Sequence, residues 1–153
     1  MPRIQLRDCT AADAALFFAH QLDPESRRLT ASSPRDRAAF DAQWAKVAAD
    51  PGAVRRTILA DDCVAGYVGS FDRLGLKEVC YELGREFWGR GIATAALGAF
   101  LVVVDFRPLH ARVAKHNVAS QRVVEKCGFV VLAEETYRNS LGDEIPEYLY
   151  RLE

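Results

Sequence analysis

The chain carries almost no net charge: 20 Lys and Arg stand against 21 Asp and Glu, for a formal charge of −1 at pH 7. Nucleic acid and anionic membrane surfaces are held by clustered Lys and Arg, so both are excluded as expected partners. Long apolar runs are also missing. The longest, Ala95 to Val104, is too short to span a bilayer and ends at Asp105. The first ten residues alternate charged and apolar groups and lack the apolar centre of a signal peptide, which points to a cytoplasmic protein. Cys9, Cys63, Cys80 and Cys127 are far apart and form no C-x-x-C pair. They read as reduced, partly buried thiols. His20, His110 and His116 show no ligand spacing either, so they read as structural and no metal is expected.

What is present fits an ordinary globular chain. Its 153 residues are the length of one domain, half are hydrophobic and 27% charged, and no repeat or low-complexity stretch divides them. Residues 1–153 therefore read as a single domain, with the one loop-like cluster at Thr30 to Pro34.

Hydrophobic periodicity gives the elements. Ile4 and Leu6 alternate with polar residues as a short strand, and Thr10 can cap a helix bearing Ala14, Ala15, Phe17 and Phe18. A second helix is expected from Pro34 through Phe40, Trp44 and Val47 to the stop at Asp50-Pro51-Gly52. Val54–Ala60, Val64–Phe71 and Lys77–Leu83 read as strands joined by short turns at Asp61-Asp62 and Leu74-Gly75, hence an antiparallel meander. Gly91 to Val104 is apolar all round, the pattern of a helix buried on both faces. A strand from Leu109 to Ala114, a helix from Val118 to Cys127 stopped by Gly128, and strands at Phe129–Ala133 and Glu147–Arg151 complete the chain. The helix from Val118 should turn Val123, Val124 and Cys127 inward and Gln121, Arg122, Glu125 and Lys126 outward. The order implies an α+β fold, mostly antiparallel, with one parallel strand-helix-strand unit at its centre.

The chemistry concentrates in Tyr81-Glu-Leu-Gly-Arg-Glu-Phe-Trp-Gly-Arg-Gly-Ile-Ala-Thr94, which leads from a strand through a glycine turn into the apolar helix. The first turn of a helix offers amides without intrahelical partners and the positive end of its dipole, so it suits an anion. Gly89 and Gly91 let backbone approach a phosphate closely, and Arg90 adds charge. A P-loop would need Lys-Ser/Thr where Arg90-Gly91 stands, and a Rossmann fingerprint would need glycine at Thr94. ATP and NAD are therefore not the expected ligands.

Phe87-Trp-Gly-Arg-Gly-Ile-Ala-Thr94 resembles the pyrophosphate loop of GNAT acetyltransferases, and more closely that of the RimJ/RimL-type branch acting on ribosomal-protein N-termini and other amines. The general pattern Gln/Arg-x-x-Gly-x-Gly/Ala falls on Trp88, Gly91 and Ala93, with Trp88 departing from it. A second block, His116-Asn-Val-Ala-Ser-Gln-Arg-Val-Val-Glu-Lys-Cys-Gly-Phe129, resembles the family's Asn-x-x-Ser helix ending in Gly-Phe. The resemblance spans Lys77 to Phe129. It implies a twisted, mostly antiparallel GNAT-like sheet flanked by helices, with acetyl-CoA as the acetyl donor held by Leu83, Trp88, Gly89, Arg90, Gly91, Ile92, Ala93, Thr94, Asn117 and Ser120. It also implies direct transfer to an amine in a ternary complex, with an oxyanion donor from the strand ending at Leu83. Asn117 is equally suited to a plain helix N-cap.

Acetyl transfer needs a base for the amine and a donor for the departing thiolate. Ser120 is the candidate acid by the family pattern. The tyrosine many members carry nearby is absent, since Val123 and Val124 occupy that region. Glu82 is the first candidate base, with Tyr137 and Glu147 able to reach the same cleft. The final hairpin carries Glu134, Glu135, Asp143, Glu144 and Glu147, which could attract a cationic small molecule or a protein N-terminus, or merely be solvated. Tyr67, Phe71 and Trp44 read as core or as acceptor-cleft residues. Two rivals remain at this level: a non-catalytic acyl-CoA-binding module, and an interaction domain without cofactor. The terminal strands allow a homodimer, though no motif specifies one.

Overall fold

The computed structural model describes all residues, 1–153. Its centre is a seven-stranded sheet in the order β1-β2-β3-β4-β5-β7-β6, and only the β4–β5 pair is parallel. β1 (Ile4–Arg7), β2 (Val54–Ala60), β3 (Cys63–Arg73) and β4 (Leu76–Leu83) form one antiparallel half; β5 (Leu109–Ala114), β6 (Val130–Arg138) and β7 (Glu144–Leu152) form the other. The β2–β3 and β3–β4 turns have two residues each, Asp61-Asp62 and Leu74-Gly75, all at positive φ. That backbone matches the twist of the strands it joins, so register is set locally.

Helices cover both faces. On one, α4 (Ile92–Val103) and α5 (Val118–Lys126) bury Ile92, Ala96, Leu97, Phe100 and Val124 against Val68, Val79, Leu109 and Ala111. Each large side chain withdrawn from water there contributes about 1.5–3 kcal/mol. On the other face lie α1 (Ala11–Gln21), α2 (Pro24–Thr30) and α3 (Arg37–Ala49). Phe17 of α1 stacks on Trp44 of α3 at 5.4 Å and meets Tyr67 of β3 at 5.2 Å, so Trp44 and Tyr67, each half-buried, belong to an aromatic cluster around the buried Phe17 and not to the lining of the cleft. The Arg55 guanidinium sits 3.8 Å from the Trp44 ring centroid. α1 is anchored by Asp13, which completes a capping box with Thr10 and also binds Arg7 and Thr57.

Three expectations are corrected here. α3 starts at Arg37, because Asp36 accepts from the Ala39 amide as its N-cap; Pro34 lies in the preceding loop. α4 is buried along one stripe only, since it lies flat on the sheet and leaves Val102 85% exposed and Val103 47% exposed. Cys63 is exposed at the β2–β3 turn, whereas Cys9, Cys80 and Cys127 are partly buried. No helix is long and apolar enough to cross a membrane.

Candidate active site

The parallel pair creates the site. β4 and β5 are bridged at Glu78 and His110 alone, and beyond that point they part. The Gly84 amide donates to the Ala65 carbonyl of β3 at 2.9 Å. Antiparallel pairing alternates the direction of backbone groups, so the preceding Leu83 turns its own N–H and C=O towards β5 and the split. The indole Nε1 of Trp88 donates to the Leu83 carbonyl at 3.0 Å, tying the glycine turn to the strand end. At Gly66 a side chain would not fit: its Cβ would fall 2.0 Å from the Glu82 carbonyl oxygen, so β3 and β4 approach more closely here than other residues permit.

A cleft of about 680 Å³ follows the split. One end is the turn into α4, where Gly89 has φ +70° and Gly91 has φ +75°. Gly91 is the helix N-cap and offers no side chain to the first amides. Those donors are left for an outside acceptor, and Arg122 and Lys126 of α5 face the same space. The cradle, the free helix start and the two cations together suit a diphosphate.

Of the sequence-predicted residues, Glu82, Leu83, Trp88, Gly89, Gly91, Ile92, Ala93, Thr94, Asn117 and Ser120 all line this cleft. Arg90 does not: its side chain is exposed and lies over the Phe87 ring at 5.8 Å. Asn117 caps α5, its Oδ1 accepting from the Ser120 amide at 3.3 Å, so the N-cap reading holds and the same residue lines the cleft. Ser120 Oγ meets the Tyr81 hydroxyl at 2.6 Å.

The other end of the cleft is a polar chamber. Ser26, Leu29 and Thr30 of α2 line it together with Glu82, Arg73, Arg112, Tyr137 and Glu147. Tyr137 donates to the Thr30 carbonyl at 3.2 Å, pinning α2 in place. Glu82 is clamped by Arg27 and accepts from Ser26 Oγ at 3.0 Å. Glu147 is buried, and its ion partner Arg112 stands 3.8 Å away while pairing more closely with Glu78. Burial pushes both Glu147 and Glu78 above the ordinary carboxylate range, against the pull of Arg112 and Arg73. The acidic hairpin is not a free negative patch. Glu134 pairs with Lys115, Glu135 and Glu147 with Arg112, and Glu144 with Arg138.

The sequence pattern gave no sign of Tyr81, Arg73 or Arg112 at the site and left α2 unread; Arg122 and Lys126 are exposed, as expected, and also border the cleft. Asp23-Pro24 was the available signal for α2, since Asp23 is its N-cap and Pro24 its first residue.

The model of the Acetyltransferase (GNAT) domain matches residues 3–130. Among curated proteins, none matches significantly. Solved structures share the fold at low identity. A GNAT-family acetyltransferase from Bacillus anthracis superposes with TM-score 0.81 at 16% identity, covering 98% of this chain and 94% of that one. Spermidine N-acetyltransferase from Vibrio cholerae, in complex with CoA and spermine, gives 0.80 at 15%, covering 96% and 94%. Aminoglycoside acetyltransferase AAC(6')-Ib with coenzyme A gives 0.80 at 17%, covering 98% and 94%.

Proposed function

Since the chain belongs to the GNAT acetyltransferase family, we propose that it moves an acetyl group from acetyl-CoA to a primary amine by direct transfer in a ternary complex. One observation carries this reading: a single cleft joins the Gly89–Gly91 cradle to a chamber holding Glu82 and Glu147, with the β4–β5 split between them. Bound acetyl-CoA supplies an acyl group activated as a thioester. The remaining chemistry belongs to side chains and backbone already placed.

The α4 amides, with Arg122 and Lys126, hold the diphosphate, while Ile92, Ala93, Thr94 and Asn117 line its approach to the split. The Leu83 N–H faces the acyl oxygen and stabilises the charge it gains in the transition state. Ser120 donates to the leaving sulfur. An amine enters as an ammonium ion and must lose a proton before attack. Glu147 takes that proton, because a carboxylate whose affinity for protons is raised is the stronger base. Glu82, held by Arg27 and Ser26, orients the amine beside it.

The acceptor is an amine, and a small molecule or a protein N-terminus presents that same group. Spermine and kanamycin are bound by structural neighbours; the N-terminus follows the RimJ/RimL-type resemblance. A cytoplasmic location accords with a metabolite donor. Incubating the protein with acetyl-CoA and a panel of polyamines, aminoglycosides and short peptides, with free-thiol release as readout, tests the proposal. Amine-dependent thiol release is expected. CoA binding with no release on any amine would leave the non-catalytic acyl-CoA-binding module.

A further inference from the structure

Tyr81 and Ser120 reach the cleft from opposite walls. Tyr81 projects from β4, opposite Val68 of β3 in register, and packs against the core, and Ser120 stands in the first turn of α5. Their hydroxyl oxygens are 2.6 Å apart, and both residues line the cleft. The Ser120 backbone is held at the start of α5, because Asn117 Oδ1 accepts from its amide.

A serine hydroxyl has one hydrogen, so the direction of the 2.6 Å bond decides what Ser120 can do. If Ser120 donates to Tyr81, its hydrogen is used inside the protein. If Tyr81 donates, the Ser120 hydrogen stays free for a group in the cleft. The second arrangement leaves no donor wasted when an anion arrives. The alternative target for the phenol, the Ser120 carbonyl, is farther away at 3.3 Å. We propose that Tyr81 is a positioning residue: it donates to Ser120 Oγ and thereby aims the Ser120 hydroxyl at the sulfur of the leaving CoA, replacing from β4 the tyrosine absent at Val123 and Val124. This rests on the acetyl-transfer reading above.

The dyad transfers no proton. Burial pushes the Tyr81 phenol up to about 12. Passing its proton to a thiolate whose thiol titrates near 8.5 is uphill by a factor on the order of 10³. The carbon–sulfur bond therefore breaks with the electron pair on sulfur, which receives a hydrogen bond from Ser120 and takes its proton later from solvent or from the acylated nitrogen, which must shed one after attack. Such a bond favours the charged form and lowers the titration point of the bound CoA thiol.

That consequence is measurable without turnover. Affinities for CoA and for acetyl-CoA are determined by calorimetry from pH 7 to pH 9 for wild type, Tyr81→Phe and Ser120→Ala. Acetyl-CoA has no ionisable thiol, so the ratio cancels the other groups around the dyad: Cys127 at the C-cap of α5, Tyr150 on β7, the carboxylates Glu82 and Glu147, and the cations Arg112, Arg122 and Lys126. In wild type, preference for CoA over acetyl-CoA is expected to rise about tenfold over this range. In both variants it stays within twofold. In turnover, Tyr81→Phe lowers kcat about tenfold with KM for acetyl-CoA within twofold, and adding it to Ser120→Ala costs nothing more. A wild-type profile retained in Tyr81→Phe, or additive losses in the double variant, would overturn the dyad and leave the acetyl-transfer reading standing. Absence of any CoA binding by wild type would overturn both. Should Tyr81→Phe unfold, wild type itself still carries a test: a preference for CoA over acetyl-CoA that does not change from pH 7 to pH 9 would overturn the aimed Ser120 hydroxyl.

Discussion

Gly66→Ala separates the close approach of β3 and β4 from ordinary sheet pairing. The added Cβ would lie 2.0 Å from the Glu82 carbonyl oxygen and 2.9 Å from the Leu83 Cα, at least 1.0 Å inside the 3.0 Å that real Cβ atoms keep from the first of these. Both neighbours are backbone, so no side chain can swing aside, and the strands must separate. Overpacking of this kind costs about 1–3 kcal/mol, and backbone contact places it at the upper end. For a chain of this size each kcal/mol moves Tm by about 2–4 °C, so a fall of about 5–12 °C is expected. Gly98→Ala is the control: it lies inside α4 with nothing within 4 Å of the added carbon. Helix propensity alone then stabilises by about 0.5–1 kcal/mol, raising Tm by about 1–4 °C. Differential scanning calorimetry of both variants supplies the comparison. The two Tm values moving in the same direction, or Gly66→Ala shifting by less than 1 °C, would refute the reasoning. Because Gly66 pairs with Leu83 at the edge of the split, the variant also displaces the proposed oxyanion donor, and kcat should fall more than KM rises.

Glu147→Gln keeps the shape of the chamber and removes the proposed base; kcat/KM measured by thiol release should fall by about 10²–10⁴. The wild-type profile should lose activity as pH falls through a point above the ordinary glutamate value, because burial raises Glu147 and only its deprotonated form accepts a proton. A variant within threefold of wild type would return the role to Glu82. Asp13→Asn breaks the capping box and strands Arg7 and Thr57, at a cost of about 2–4 kcal/mol at pH 7 in urea unfolding. Asp13 titrates well below the usual carboxylate range in the folded state, chiefly through Arg7. Its contribution is thus complete above the unfolded value near 4 and is lost as pH falls below it, so the variant and wild type should converge in acid.

Strand positions were legible in the sequence where turn chemistry and β-branched runs coincide, as in Val54–Leu83, because two-residue turns fix register locally. The glycine turn into α4 was legible for a related reason: Gly89 and Gly91 hold backbone at positive φ, a constraint written directly in residue type. α2 was hidden because Leu29 is its sole large apolar residue, and seven residues cannot display a helical period. Its N-cap Asp23 and Pro24 were the only local sign. Tyr81 was hidden because a strand residue's partner depends on which helix the fold lays beside it, and Ser120 lies 39 positions away in the chain. Arg122 and Lys126 looked like a solvated helix face, and they are exposed. That face also borders the cleft, which amphipathic periodicity cannot tell.

The most direct test of the account is calorimetric titration of acetyl-CoA into wild type and Gly91→Trp, with the fold of the variant checked by circular dichroism. Gly91 caps α4 at φ +75°, where any side chain strains the backbone and its Cβ would meet Met1 Sδ at 3.5 Å, so a bulky residue distorts the turn that forms the proposed diphosphate cradle. Wild type should bind with a Kd on the order of micromolar, and the folded variant at least a hundredfold more weakly, a loss of about 2.8 kcal/mol. No binding by wild type, or equal binding by both, would contradict the cofactor site on which the acetyl-transfer account rests.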